Sequence, residues 1–125
     1  MEGETGMKGL KYWVGFCLSL SETYRDYPFG EEWTVLRHRG SKKSFAFFYQ
    51  SSKGLCVNLK CDPLRADFLR RVYPWVTPGY HMNKTHWNTV LLDRADEDEV
   101  RSMIFHSYLL TAGSQKAAGG KREKQ

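Results

Sequence analysis

The chain has 125 residues, of which 41% are hydrophobic and 14% aromatic, and its formal net charge is +5. This length suits one domain with one core and excludes a second domain of ordinary size. The aromatic content excludes a disordered chain, and no apolar stretch approaches the ~20 residues that span a bilayer. We therefore expect a soluble monomer without a membrane partner.

The positive charge is concentrated in the middle of the chain. Residues 34–92 hold ten Lys and Arg against two Asp and Glu, whereas residues 1–33 and 93–115 each carry a net charge of −3. The last ten residues add a charge of +3. A basic segment between acidic flanks predicts a surface that attracts a polyanion.

The first predicted element is a helix over about residues 6–20, where apolar residues recur at a spacing of 3.6. Part of this segment superficially resembles a secretion signal. Glu2 and Glu4 offset the positive start that such a signal needs, so we prefer an amphipathic helix. Pro28 and Gly30 then mark a turn.

Three short strands are predicted next, over residues 34–39, 44–49 and 55–60, because each segment is rich in aromatic and branched residues. The gaps between them are four and five residues long. Such short connections imply antiparallel hairpins, so the three strands should be neighbours in one sheet.

A second helix is predicted to begin at Asp62-Pro63, where a capping carboxylate precedes Pro at the first helical position, and to end at Tyr73-Pro74. Residues 87–92 predict another strand. Four acidic residues then open a last helix that Gly113 ends. The order α-β-β-β-α-β-α predicts an α+β domain over residues 1–113, with helices on one side of an antiparallel sheet. Residues 114–125 are predicted to be a basic, disordered segment.

Four segments of the sequence resemble the MmcQ/YjbR family, in order and at matching separations. They are residues 27–30 (YPFG), 43–46 (KSFA), 58–63 (NLKCDP) and 78–90 (PGYHMNKTHWNTV), within a resemblance that runs from about residue 7 to residue 110. The His-x-Asn-Lys-x-His-Trp core is distinctive. The resemblance implies a frataxin-like (CyaY-like) α+β fold and a DNA-binding module in which paired hairpins form a double wing.

Candidate nucleic-acid contacts lie on the predicted hairpin tips and on the loop before the last strand. The cations would neutralise phosphates, and the loop would add hydrogen bonds and histidine contacts that strengthen below neutral pH. These residues are Arg37, Arg39, Lys42, Lys43, Lys53, His81, Asn83, Lys84 and His86. An alternative interpretation is structural: His81 and His86 hydrogen-bond backbone groups and so fix the connection, and Trp87 fills the core.

A second function class stays open, namely a non-catalytic domain that binds a protein or a small ligand through the loop at residues 81–87 and a face of the sheet. The aromatic run at residues 45–49 is a candidate stacking platform for single-stranded bases. Because both faces of that strand are apolar, we favour packing over base stacking for this run.

Catalysis, metal binding and cofactors are not expected. The sequence has no Gly-x-Ser-x-Gly, phosphate-loop or dinucleotide fingerprint, and neither Cys-x-x-Cys nor His-Glu-x-x-His is present. The positions of Cys56 and Cys61 differ by five, an odd number, so a strand through both would point them to opposite faces. With Cys17 they make three cysteines, which predicts reduced thiols in a cytoplasmic protein.

Overall fold

The computed structural model describes residues 8–112, so residues 1–7 and the predicted basic segment at 114–125 lie outside the described part of the chain. Within it, the helices are α1 (Leu10–Leu18), α2 (Pro63–Val72) and α3 (Glu97–Ala112). The strands are β1 (Thr23–Asp26), β2 (Trp33–His38), β3 (Ser44–Ser51), β4 (Gly54–Lys60), β5 (Val76–Pro78) and β6 (Trp87–Leu91).

The six strands form one sheet in the order β1-β2-β3-β4-β6-β5, and every pair of neighbours is antiparallel. The predicted α+β class is therefore confirmed. The predicted element order lacks β1 and β5, which are four and three residues long. Both lie at a sheet edge, where a short polar strand or one containing Pro is tolerated, so neither has the apolar run of a central strand.

All three helices pack on one face of the sheet. Helix α2 begins as predicted, since the Asp62 carboxylate accepts from the backbone N–H of Arg65. On α3, the buried Ser107 hydroxyl donates to Phe45 O over 2.7 Å and accepts from Lys60 N over 2.9 Å, which fixes α3 across β3 and β4. The core between the helices and the sheet contains Trp13, Cys17, Leu36, Phe48, Val57, Leu59, Val90, Val100 and Ile104. No helix within residues 8–112 has the length and apolarity needed to cross a bilayer.

Most of the large apolar side chains on α2 are exposed. Leu64, Phe68 and Val72 are 85%, 60% and 46% exposed, whereas Ala66 and Leu69 are buried. Helix α2 contacts the two strands at one edge of the sheet, β5 and β6. Because this support is narrow, only one side of the helix is covered.

The two ends of the sheet differ in which connections they carry. Strand β3 has eight residues, so the β2–β3 turn at one end lies about 26 Å from the β3–β4 turn at the other. Lys60, the last residue of β4, pairs with Trp87, the first residue of β6. The β5–β6 loop (residues 79–86) therefore lies at the same end as the β2–β3 turn.

Candidate nucleic-acid interface

Charge in the described part of the chain is divided between the two ends of the sheet. The end with the β2–β3 turn and the β5–β6 loop, which we call the basic end, carries Arg37, Arg39, Lys42, Lys43, Lys60 and Lys84. The opposite end carries Glu31, Glu32, Asp93, Asp96, Glu97, Asp98 and Glu99 together with the cations Lys8, Lys53, Arg94 and Arg101, so it is predominantly negative. The basic end also holds Glu22, Asp26 and Asp62, so it is predominantly rather than uniformly positive.

Lys53 does not join the other predicted cations. It lies in the β3–β4 turn, at the opposite end of the sheet. Its neighbour Gly54 has φ 135°, and a Cβ there would come within 2.5 Å of Asp93 Oδ2. The two predicted hairpin tips thus lie at opposite ends of the sheet, because successive turns of antiparallel strands alternate between its ends, and Lys53 does not share a surface with the other candidate cations.

The β2–β3 turn presents some of its cations to solvent and uses others internally. Arg37 Nε donates to Asp26 Oδ2 over 2.8 Å, and Arg37 Nη1 donates to Lys42 O over 2.9 Å. Arg37 is therefore mainly a positioning residue. The Arg39 guanidinium lies 5.8 Å from the centre of the Tyr24 ring, a cation–π contact that leaves its N–H groups at the surface. Lys42 is exposed.

The β5–β6 loop is held in place by its own polar side chains and by Arg70 of α2. Lys84 Nζ donates to Gly79 O over 3.0 Å, and Asn83 Oδ1 accepts from Thr85 N over 2.9 Å. Arg70 on α2 donates to Trp87 O over 3.2 Å and also to Lys84 O. Asn83 and Lys84 therefore shape the loop, although an ammonium retains further donors for a phosphate.

The two loop histidines are exposed side chains. His81 packs against the Tyr80 ring with 4.0 Å between ring centres. His86 bonds through its backbone carbonyl, which accepts from Cys61 N over 2.8 Å. Neither imidazole makes a hydrogen bond to any residue between 8 and 112, so the interpretation that these side chains fix the connection is not supported. Trp87 is half-buried on the helix-free face, against Phe47, and does not fill the core between sheet and helices.

Residues with left-handed backbone lie at the basic end in three places. Glu22, Lys42 and His81 have φ of 58°, 66° and 62°. Glu22 precedes β1 and bonds Arg39 N through its carbonyl oxygen, Lys42 is in the β2–β3 turn, and His81 is in the β5–β6 loop. This conformation is unfavourable for residues with a side chain, and such residues cluster at functional sites.

A buried polar network joins the start of the loop to the helix-free face of the sheet. Asn58 Oδ1 accepts from the Thr89 hydroxyl over 2.6 Å and from the Tyr49 hydroxyl over 3.2 Å, while Asn58 Nδ2 donates to Tyr80 O over 2.9 Å. Burial raises the pKa of Tyr49 to about 12. This network could not be predicted from the sequence, because a lone Asn in a strand is a weak signal.

The thiols have the character of packing groups. Burial raises the pKa of Cys17 and raises the pKa of Cys61 to about 11. Cys61 packs in the core on the helix side, whereas Cys56 pairs with Tyr49 on the helix-free face. Within residues 8–112, no three His, Cys, Asp or Glu side chains are grouped so that they would hold a metal ion.

The fold of this chain is similar to that of solved proteins. A crystal structure of the Deinococcus radiodurans protein DR2400, with the family-model domain DUF419, has a TM-score of 0.77 and 30% identity, and the match covers 91% of this chain and 84% of that one. A crystal structure of a protein from Pseudomonas syringae has a TM-score of 0.74 and 29% identity, with coverages of 83% and 99%.

Sequence relatives agree with the structural ones. The Bacillus subtilis protein YyaQ is 35% identical over 71% of this chain and 86% of its own length. The Escherichia coli K12 protein YjbR is 34% identical over 69% of each chain. The family model described as YjbR matches residues 18–110, which include the whole sheet, all of α2 and most of α3. The chain therefore belongs to the YjbR family.

Proposed function

We propose that this protein binds double-stranded DNA through the phosphate backbone, with the basic end of the sheet facing the duplex. The observation that carries the proposal is the separation of charge. Exposed Arg39 and Lys42 lie at one end, and the acidic first turn of α3 lies at the other. A polyanion would be attracted to the first end and repelled by the second, which also sets the orientation of the domain on DNA.

The spacing of the two tips supports a duplex as the ligand. The β2–β3 turn and the β5–β6 loop are three strand spacings apart in the sheet order, which is about 14 Å. A B-DNA major groove is about 12 Å wide. Phosphates on the two sides of one groove are thus within reach of Lys42 on one tip and Lys84 on the other.

The exposed histidines add donors to the same surface. His81 and His86 are on the β5–β6 loop with no protein partner for their imidazoles within the described residues, so both have ring N–H groups for phosphate or base-edge oxygens. The left-handed backbone at Lys42 and His81 places one uncommon conformation on each tip. We interpret these two backbone conformations as adaptations of the two tips to one shared ligand.

The proposal is tested by removing equal charge from each end of the full chain. Arg39→Gln with Lys42→Asn neutralises the basic end, and Asn suits the left-handed backbone at residue 42. Lys53→Gln with Arg94→Gln is the matched control at the opposite end. Binding is measured by fluorescence anisotropy of a labelled 16-base-pair duplex between 50 and 200 mM salt. The basic-end variant is expected to bind about tenfold more weakly and to lower the salt slope by about 2, while the control stays near wild type.

A third variant separates the basic end from the C-terminal residues. It replaces Lys116, Lys121, Arg122 and Lys124 with Gln. Equal losses in the two charge-paired variants would contradict the proposal, because they would show a dependence on net charge alone. Loss in the third variant only would also contradict it, since binding would then need only residues 113–125.

A further inference from the structure

A trough of about 630 Å³ lies on the helix-free face of the sheet, between Tyr80 of the β5–β6 loop and the β3–β4 turn. Its floor is Cys56 on β4 and Leu91 on β6, which pair directly across the two strands. Tyr49 on β3 pairs with Cys56 and forms one side. Trp75, whose carbonyl oxygen accepts from Leu91 N over 2.9 Å, forms the other.

The ends of the trough are formed by an aromatic ring and by a turn. Tyr80 closes the end toward the β5–β6 loop: its ring stacks on Tyr49 with 5.6 Å between centres, and it is 51% exposed. The β3–β4 turn closes the other end and contributes Lys53. A floor of two smaller side chains between large rings is the shape that admits a flat ring, and the volume is that of a small-molecule site.

Lys53 is the only charged side chain among the described residues that line the trough. Asp93, whose carboxylate lies beside Gly54, lines the neighbouring cavity with Glu31 and Glu32 rather than the trough. Hydroxyl groups of Ser52 and Thr77 lie on the rim, where both residues are exposed. The lining therefore offers stacking faces, neutral hydroxyls and one ammonium.

We propose that this trough binds a small molecule with a flat aromatic ring and an anionic group, as in a nucleoside monophosphate or an aromatic carboxylate. The ring stacks against Tyr80 and Trp75, and Lys53 Nζ donates to the anion. Lys53 lies outside the candidate nucleic-acid interface and belongs to this site. It is independent of the proposed DNA binding, and either can fail without the other.

The test is a titration of the ¹⁵N-labelled full chain with AMP, GMP, UMP and indole-3-acetate, with adenosine and indole as the neutral partners. At least one anionic probe is expected to shift the Trp75 indole N–H and the amides of Ser52, Lys53 and Cys56. Lys53→Gln should weaken that probe about tenfold, to the level of its neutral partner. Trp75→Leu and Tyr80→Leu should each weaken the charged and neutral members alike.

Lys42→Asn is the matched control and should leave the affinity for the probe unchanged. The proposal is overturned if none of the four anions shifts these signals at millimolar concentration, if Lys53→Gln binds as tightly as wild type, or if the shifts lie at residues 39–43. Amide dispersion of each variant reports its folding. If either Trp75→Leu or Tyr80→Leu does not fold, the other variant still tests the stacking. A dinucleotide that binds more tightly than AMP would identify a strand end as the source of the nucleotide, and equal binding would identify a free one.

Discussion

Arg70 Nε on α2 donates to Asn88 Oδ1 on β6 over 2.6 Å, and the same guanidinium reaches two carbonyl oxygens of the β5–β6 loop and strand start. Asn88 Nδ2 in turn donates to Ala66 O over 3.3 Å. A cation from the basic middle of the sequence is thus an internal clamp between helix, strand and loop. Net charge per segment overstates the charge available for a ligand wherever an arginine is used in this way.

Arg70→Lys is expected to lower the free energy of unfolding by about 1–3 kcal/mol, since an ammonium cannot reproduce a fork that serves three acceptors. Urea denaturation measures the change. Arg71→Lys is the matched control: Arg71 is exposed and bonds Asp67 four residues earlier on the same helix, so its replacement should alter stability by a few tenths of a kcal/mol. Equal effects at the two positions would contradict the clamp.

Thr89→Val is expected to lower the free energy of unfolding by about 1–3 kcal/mol, because the buried Asn58 side chain and the backbone N–H of Tyr80 each lose a partner. The Thr89 hydroxyl donates to Asn58 Oδ1 and accepts from Tyr80 N over 2.9 Å. Thr77 is opposite Thr89 on β5 and is exposed, so Thr77→Val is the control and should be close to neutral. Chemical denaturation compares them, and a neutral Thr89→Val would show that the network adds no stability.

Lys42→Gly is expected to raise the unfolding free energy by up to about 1 kcal/mol, because glycine adopts φ 66° without the clash that a side chain brings. Ser41→Gly in the same turn has no left-handed backbone to relieve and should lower stability. Thermal unfolding distinguishes the two. If Lys42→Gly proves destabilising, the strain at this tip is absent.

Stability is expected to decrease as the pH falls below about 6.5. His38 is buried, with Nε2 2.7 Å from Thr111 Oγ1, and burial lowers its pKa from the ordinary 6.5; burial likewise lowers the pKa of His106. The unfolded chain takes up protons near pH 6.5 that the folded one resists, so acid favours unfolding. His38→Gln should lose less stability than wild type between pH 7.5 and 5.5 in urea titrations. An identical loss in both proteins would show that His38 does not contribute to the decrease in stability at low pH.

Local chemistry predicted the local structure well. Hairpin segments, the Asp62-Pro63 helix start and the acidic opening of α3 depend on neighbouring residues, and the structure has each of them. β1 and β5 were missed because pairing at a sheet edge, rather than an apolar pattern, makes them strands. The trough was missed with β5, since nothing in the sequence places Trp75 beside Leu91.

The candidate site was predicted in part. The β2–β3 turn and the His81–His86 loop do share one end, whereas Lys53 does not. The alternation of antiparallel turns was a signal that would have assigned Lys53 to the other end. Which arginines are internal could not be predicted, because the partners of Arg37 and Arg70 come from β1 and from β6 and its preceding loop, eleven to eighteen residues away in the chain.

The division of charge between the two ends of the sheet is tested most directly by one NMR titration of the full chain with an unlabelled DNA duplex at low salt. Amide shifts are expected at residues 39–43 and 80–86, while the amides of residues 31–32, 52–54 and 93–99 should be unchanged. Shifts centred on the opposite end, or confined to residues 113–125, would contradict it.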